Sequence, residues 1–126
     1  MKNKNAFAIS LAVLLSTPSP SFADPHNGER IFLNRCAMCH GRDMTGTGPL
    51  ADKSDPPTPN LTKPEFKKRL HDYPGVIVSS IILRANGDLI PRTLRENGVA
   101  LPGFAWTVKD FRDLNEYMIN VISKSK

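Results

Sequence analysis

Both cysteines of the chain fall in one short run, Cys36-Ala37-Met38-Cys39-His40. Two thiols about one helical turn apart share a side of the chain, and a histidine follows at once. That spacing is the attachment signature of a c-type haem. The sulfurs reach the two vinyl groups along one porphyrin edge, and the adjacent imidazole ligates the iron from the proximal face. A disulfide would leave the histidine as an accident of position. A zinc site needs four ligands, and the other histidines, His26 and His71, do not lie at zinc-finger spacing. The run therefore predicts one covalent haem c with its iron, held by Cys36 and Cys39 as thioethers and by His40 as proximal ligand.

The first residues give this chemistry a compartment. Lys2 and Lys4 form a positive start, Ala6 to Leu15 is apolar, Pro18 and Pro20 interrupt it, and Ser21-Phe22-Ala23 is a small-x-small cleavage site. The apolar run has about ten residues, short of the roughly 20 that span a membrane. The pattern predicts a signal peptide over residues 1–23, a mature domain over residues 24–126, and no membrane span after cleavage. The competing reading is an uncleaved anchor. Export to the periplasm suits the motif, since the thiols must cross the membrane before haem is attached.

A mature chain of this length makes one domain with a modest core, to which a haem would add apolar surface. Losing Lys2 and Lys4 with the leader takes the formal charge from +5 to +3. The remaining charge is spread along the chain without a block of like sign. No nucleic-acid motif accompanies it. It suits either a solvated surface or the steering of a redox protein partner with an acidic docking surface.

Patterning shows the elements that must position the motif. Thr107 followed by Asp110 signals a helix start. Val108, Phe111, Leu114, Tyr117, Met118, Val121 and Ile122 then recur at helical steps. Thr62-Lys63-Pro64-Glu65 combines a capping box with a proline in the first turn and opens a short helix carrying Phe66 and Leu70. Just upstream of that helix, Ser54 to Asn60, with Pro56, Pro57 and Pro59, reads as a loop. Val76 to Ala85 is apolar and β-branched, so pattern alone leaves strand and helix open; the stop at Asn86-Gly87 favours helix.

From the motif outward, the chain resembles the single-haem class I c-type cytochromes over nearly all of residues 24–126. Gly28 and Phe32 stand eight and four residues before Cys36, matching the family's glycine and aromatic on its first helix. Tyr117 matches the aromatic of the last helix that packs against them. Gly48-Pro49-Leu50 matches a turn whose proline carbonyl accepts a hydrogen bond from the proximal histidine. The resemblance implies an all-α fold, a cytochrome c-like domain of short helices wrapped around one covalent haem. It further implies a first helix from Asp24 or Pro25 to Arg35, with Ile31 and Phe32 inward, and places Pro49 behind His40, where such a contact fixes the imidazole tautomer.

One position departs from the family. In Ala100-Leu101-Pro102-Gly103-Phe104 a leucine stands where most members carry the methionine that is the sixth iron ligand. Leu101 has no lone pair, so it would face the distal iron without ligating. The site is then open, or taken by water, a small molecule or another side chain. His71, in the middle segment, is the foremost candidate for a sixth ligand. Met38 and Met44 fall on the wrong side, Met118 reads as core, and Asn97 is close in sequence without other support. Arg84, Arg92, Arg95 and Trp106 are candidates to hold a propionate, or are surface and packing residues. Tyr73 reads as a rim aromatic.

The resemblance implies a periplasmic one-electron carrier between a dehydrogenase or membrane complex and an acceptor, and not an enzyme. The alternative drawn from Leu101 is a haem protein whose open sixth site binds or senses a diatomic ligand.

Overall fold

The computed structural model describes residues 22–85, 96–99 and 104–126, and this part of the protein is helical, with no strand among the described residues. Helix α1 spans Pro25–Arg35 and is followed, across the single residue Cys36, by the short α2, Ala37–His40. A 3-10 turn occupies Ala51–Lys53. Then come α3 (Pro64–Asp72), α4 (Val76–Ala85) and the long α5 (Val108–Lys124).

Each boundary has a local cause. The Asp24 carboxylate accepts the N–H groups of His26 and Asn27, and Pro25 takes the first helical position, where a missing N–H costs nothing. At the start of α5 the Thr107 hydroxyl accepts from the Asp110 amide while Asp110 accepts from the Thr107 amide, a reciprocal capping box. Those hydrogen bonds hold the Asp110 carboxyl below its ordinary value.

The start of α3 differs from expectation. Thr62 is not its cap: the amide and hydroxyl of Thr62 both donate to Asn60 Oδ1, at 2.8 and 2.7 Å. With that hydroxyl engaged upstream, α3 begins one residue later, with Lys63 at the cap position and Pro64 first in the helix. Val108, read above as part of the apolar stripe of α5, is 75% exposed, because it stands in the first turn before the helix meets the core. Tyr73 is likewise more than half exposed.

The core joins the two terminal helices to the middle of the chain. Ile31 and Phe32 of α1 meet Leu114, Met118 and Ile122 of α5, and Met44, Leu61, Leu70, Val76 and Ile77 complete the cluster. Burying an aliphatic or aromatic side chain of this size contributes about 1.5–3 kcal/mol. The α1–α5 pair is the main helix contact. Gly28 is buried there, and a Cβ added to it would lie 2.1 Å from the Asp113 carbonyl oxygen and 2.8 Å from Tyr117 Cβ. One turn further along, the Phe32 and Tyr117 rings stand 5.7 Å apart at 48°. The crossing expected of Gly28, Phe32 and Tyr117 is therefore present.

Candidate haem site

Helix α1 delivers the motif. The Cys36 amide donates to the Phe32 carbonyl at 2.8 Å, and the Cys36 carbonyl accepts from the His40 amide, also at 2.8 Å. Backbone helicity thus continues through both cysteines, and the side chains of Cys36 and Cys39 emerge three residues apart from one turn. No disulfide joins them. Burial, reinforced by the neighbouring Cys39 and opposed by Arg35, pushes the Cys36 thiol up to about 11, so it is protonated at neutral pH. Cys36 and Ala37 pack against the core.

His40 closes α2, with its Nδ1 buried. The loop beyond it is held on both flanks. Asp43 Oδ1 accepts from the Thr45 amide and hydroxyl at 3.2 and 2.7 Å, and the Gly46 amide donates back to the His40 carbonyl at 2.8 Å. Between these contacts Met44 takes a left-handed backbone (φ 64°) with its side chain fully buried, and its carbonyl accepts from Leu61.

The Gly48-Pro49-Leu50 turn docks on α2. Gly48 donates to the Cys39 carbonyl at 3.1 Å, and Leu50 donates to the Met38 carbonyl at 2.8 Å. A Cβ on Gly48 would fall 2.4 Å from the carbonyl oxygens of both Ala37 and Met38, so the approach requires glycine. Pro49 sits between the two hydrogen bonds, on the turn clamped to the helix that carries His40.

These positions suit a planar group attached along one edge. Among the described residues, no three His, Cys, Asp or Glu side chains converge as they would around a bare metal ion. Cys36, Cys39 and His40 are instead strung along one turn, two thiols with an imidazole beyond them. Both thiols are unbridged, the form in which sulfur adds to a vinyl group.

The Cytochrome c family model matches residues 25–121. The chain belongs to the cytochrome c family. Members of this family carry covalent haem c with iron and are in general electron carriers that meet redox protein partners. Searches of curated proteins and of solved structures found no match.

In this cytochrome the other candidate residues are dispersed. His71 lies near the end of α3, its side chain 89% exposed and its Nδ1 3.2 Å from Asp72 Oδ1. Met38 is about half exposed, whereas Met118 is buried in the core. Asn97 is exposed and donates to the Lys53 carbonyl at 3.0 Å, tying the segment before Leu101 to the 3-10 turn. Leu101, Arg92 and Arg95 lie outside the described residues, as do the Arg84 side chain, the Asn86-Gly87 stop and the leader through residue 21.

An aromatic run absent from the sequence reading secures the chain just after Leu101. The Arg35 guanidinium lies 4.4 Å over the Phe104 ring centroid. Phe104 meets Trp106 edge-on at 4.6 Å, and Trp106 stacks on Phe111 at 4.9 Å and 14°. The end of α1 thereby grips the segment that leads into α5. Only the tight aromatic spacing, Phe104, Trp106 and Phe111, hinted at it; Arg35 lies far away in sequence. Among the described residues, no helix is long and apolar enough to cross a membrane.

Proposed function

We propose that the protein is an exported, soluble one-electron carrier of the periplasm, in which Cys36 and Cys39 hold one haem c and His40 is its proximal iron ligand. The observation that carries this reading is the placement of the three residues on one helical turn, clamped by the Gly48–Leu50 turn. The haem supplies an iron centre that accepts and returns one electron.

The chain's own residues do the rest. The α1–α5 crossing fixes the direction in which α2 leaves the core, and the loop from Gly41 to Thr47 fixes where it ends. Pro49 is assigned to back His40; a carbonyl acceptor at Nδ1 would hold the tautomer that leaves Nε2 for iron and raise its basicity. Leu101, which the resemblance sets on the distal side, has no lone pair with which to ligate. Processing after Ala23 leaves a domain of net charge +3, suited to steering toward an acidic partner surface. This role requires no catalytic residue, so the protein is not an enzyme.

Leu101 also supports a second reading, a haem protein whose open sixth site binds or senses a diatomic ligand, with His71 as a low-ranking alternative occupant of that site. One set of spectra separates them. The exported holoprotein should keep its colour through acid–acetone extraction and stain for haem peroxidase on a denaturing gel; colour passing into the organic phase would rule out thioether attachment. Low-spin spectra unaffected by carbon monoxide support the closed carrier. A shifted Soret band in the reduced protein under carbon monoxide supports the open site.

A further inference from the structure

Asp113 is an unusual residue for the middle of a helix interface: it is charged and 0% exposed. Its Oδ1 accepts from the backbone nitrogen of Asp24 at 2.8 Å, across 89 positions of sequence. Its Oδ2 accepts from Asn27 Nδ2 at 2.6 Å and from the Lys109 ammonium, one turn earlier on α5. Asn27 Nδ2 also lies 3.4 Å from Asp110 Oδ1. Two carboxylates of α5 therefore flank the first residue of the domain, and one of them is aimed at its main-chain nitrogen.

That nitrogen is the atom that cleavage after Ala23 would release. We infer that maturation converts the Asp24 amide into an α-ammonium that forms an ionic lock with buried Asp113, fastening α1 to α5. The inference rests on the processing reading above. Phe22 is 82% exposed, so the chain already leaves the domain at this point and the new terminus needs no rearrangement. The hydrogen bond, already charge-assisted through the Asp113 carboxylate, becomes one in which donor and acceptor are both charged, which adds direct ion pairing to the contact.

The surrounding charges accept the new cation. Facing it are Asp24's own carboxylate at the cap of α1, and Asp113, Asp110 and Lys109 on α5, with the Arg30 guanidinium of α1 behind them on Asn27 Oδ1 at 2.6 Å. Three carboxylates against one lysine and one arginine leave an acidic excess that an ammonium reduces. The positive end of the α1 dipole opposes the added charge, and the carboxylates of Asp24 and Asp113 offset it. A free α-amine ordinarily titrates at about 7.7–8.0; paired here, its value in the fold is raised. Its contribution is then full below the ordinary value and is lost as pH rises through the raised one.

The test uses exported holoprotein. Intact mass first fixes the terminus, and a start other than Asp24 overturns the processing reading and the ammonium with it. With Asp24 confirmed, a second form carries Ala-Gly inserted between Ala23 and Asp24, and both forms are made with and without Asp113→Asn. The insertion should lower the thermal midpoint by several degrees at pH 6 and by less than about one degree in the Asp113→Asn background, with the penalty fading at high pH (a 1 kcal/mol change moves a domain of this size by about 4–8 °C). Additive losses at pH 6 would overturn the lock while leaving processing intact. If Asp113→Asn gives no folded holoprotein, the pH dependence of N-terminal acylation in the unaltered protein decides. A raised α-amine pKa supports the lock, and an ordinary one overturns it.

Discussion

The α carbon of Gly28 faces the Asp113 carbonyl so closely that a single added methyl carbon would stand 2.1 Å from its oxygen. This contact lets α1 lie on α5, and α1 runs directly into the turn carrying Cys36, Cys39 and His40. A backbone approach in one part of the molecule therefore sets where its thiols emerge.

Gly28→Leu should consequently cost more than loss of helix packing alone. Overpacking of this kind typically costs about 1–3 kcal/mol, and here the obstruction is backbone, which cannot swing aside. The holoprotein should melt well below the unaltered protein and accumulate with less haem per chain. A thermal midpoint unchanged by Gly28→Leu would place the helix crossing elsewhere.

How much of this was legible follows from where each signal lies. Cys36, Cys39 and His40 are adjacent, so their chemistry reads directly from the string. The α1–α5 crossing was accessible through the resemblance, because Gly28, Phe32 and Tyr117 sit at fixed steps from recognisable landmarks. Asp113 was not read as buried: an aspartate in an amphipathic helix resembles a solvent residue, and its partner nitrogen is 89 positions away. A clue existed, since Asp113 lies one turn before Tyr117 and so shares the face that meets α1. Thr62 misled because the capping-box pattern ignores a competing acceptor two residues upstream, Asn60. The left-handed backbone of Met44 has no sequence sign, since it is imposed by burial of its side chain and by the contacts on either side.

Thr107→Ala should remove the hydroxyl half of the box that starts α5, leaving the amide of residue 107 to donate to Asp110. Loss of an N-cap costs about 1 kcal/mol, equivalent to a drop of several degrees in a domain of this size. The same change alters the acid response. Thr107 is the main reason the Asp110 carboxyl lies below its ordinary value. Asp113 is also held low: burial would raise it, but hydrogen bonds from Asp24, Lys109 and Asn27 prevail. Depressed carboxyl values give stability that is present above the ordinary value near 3.9 and lost as pH falls through the folded value. The unaltered protein should therefore lose stability below about pH 4. Thr107→Ala should show a shallower loss over that window, as measured by denaturant midpoints at stepped pH.

Gly48→Ala tests the clamp on the attachment turn. The added methyl would meet the Ala37 and Met38 carbonyls, and the Gly48 and Leu50 hydrogen bonds to α2 would have to lengthen. About 1–3 kcal/mol should be lost. The proposal that Pro49 backs His40 is tested by the same variant: if it does, the midpoint potential should shift while thioether attachment persists. Lower stability with an unaltered potential would limit this turn to a structural role.

Leu101→Met tests the distal assignment. If Leu101 faces the iron, its replacement installs a thioether at the sixth position. The oxidised protein should then gain the weak long-wavelength band associated with methionine–iron ligation. Methionine ligation raises the potential, so the midpoint should rise, each 59 mV corresponding to a tenfold change in the one-electron equilibrium. Carbon monoxide binding, where the unaltered reduced protein shows it, should weaken as the open position fills. His71→Ala provides the comparison. The His71 side chain is 89% exposed beside Asp72, so in this conformation its removal should leave the haem spectrum unchanged; a shift to high spin would instead mean that haem binding draws His71 inward. Unchanged spectra in both variants would mean that the chain through Leu101 passes away from the iron.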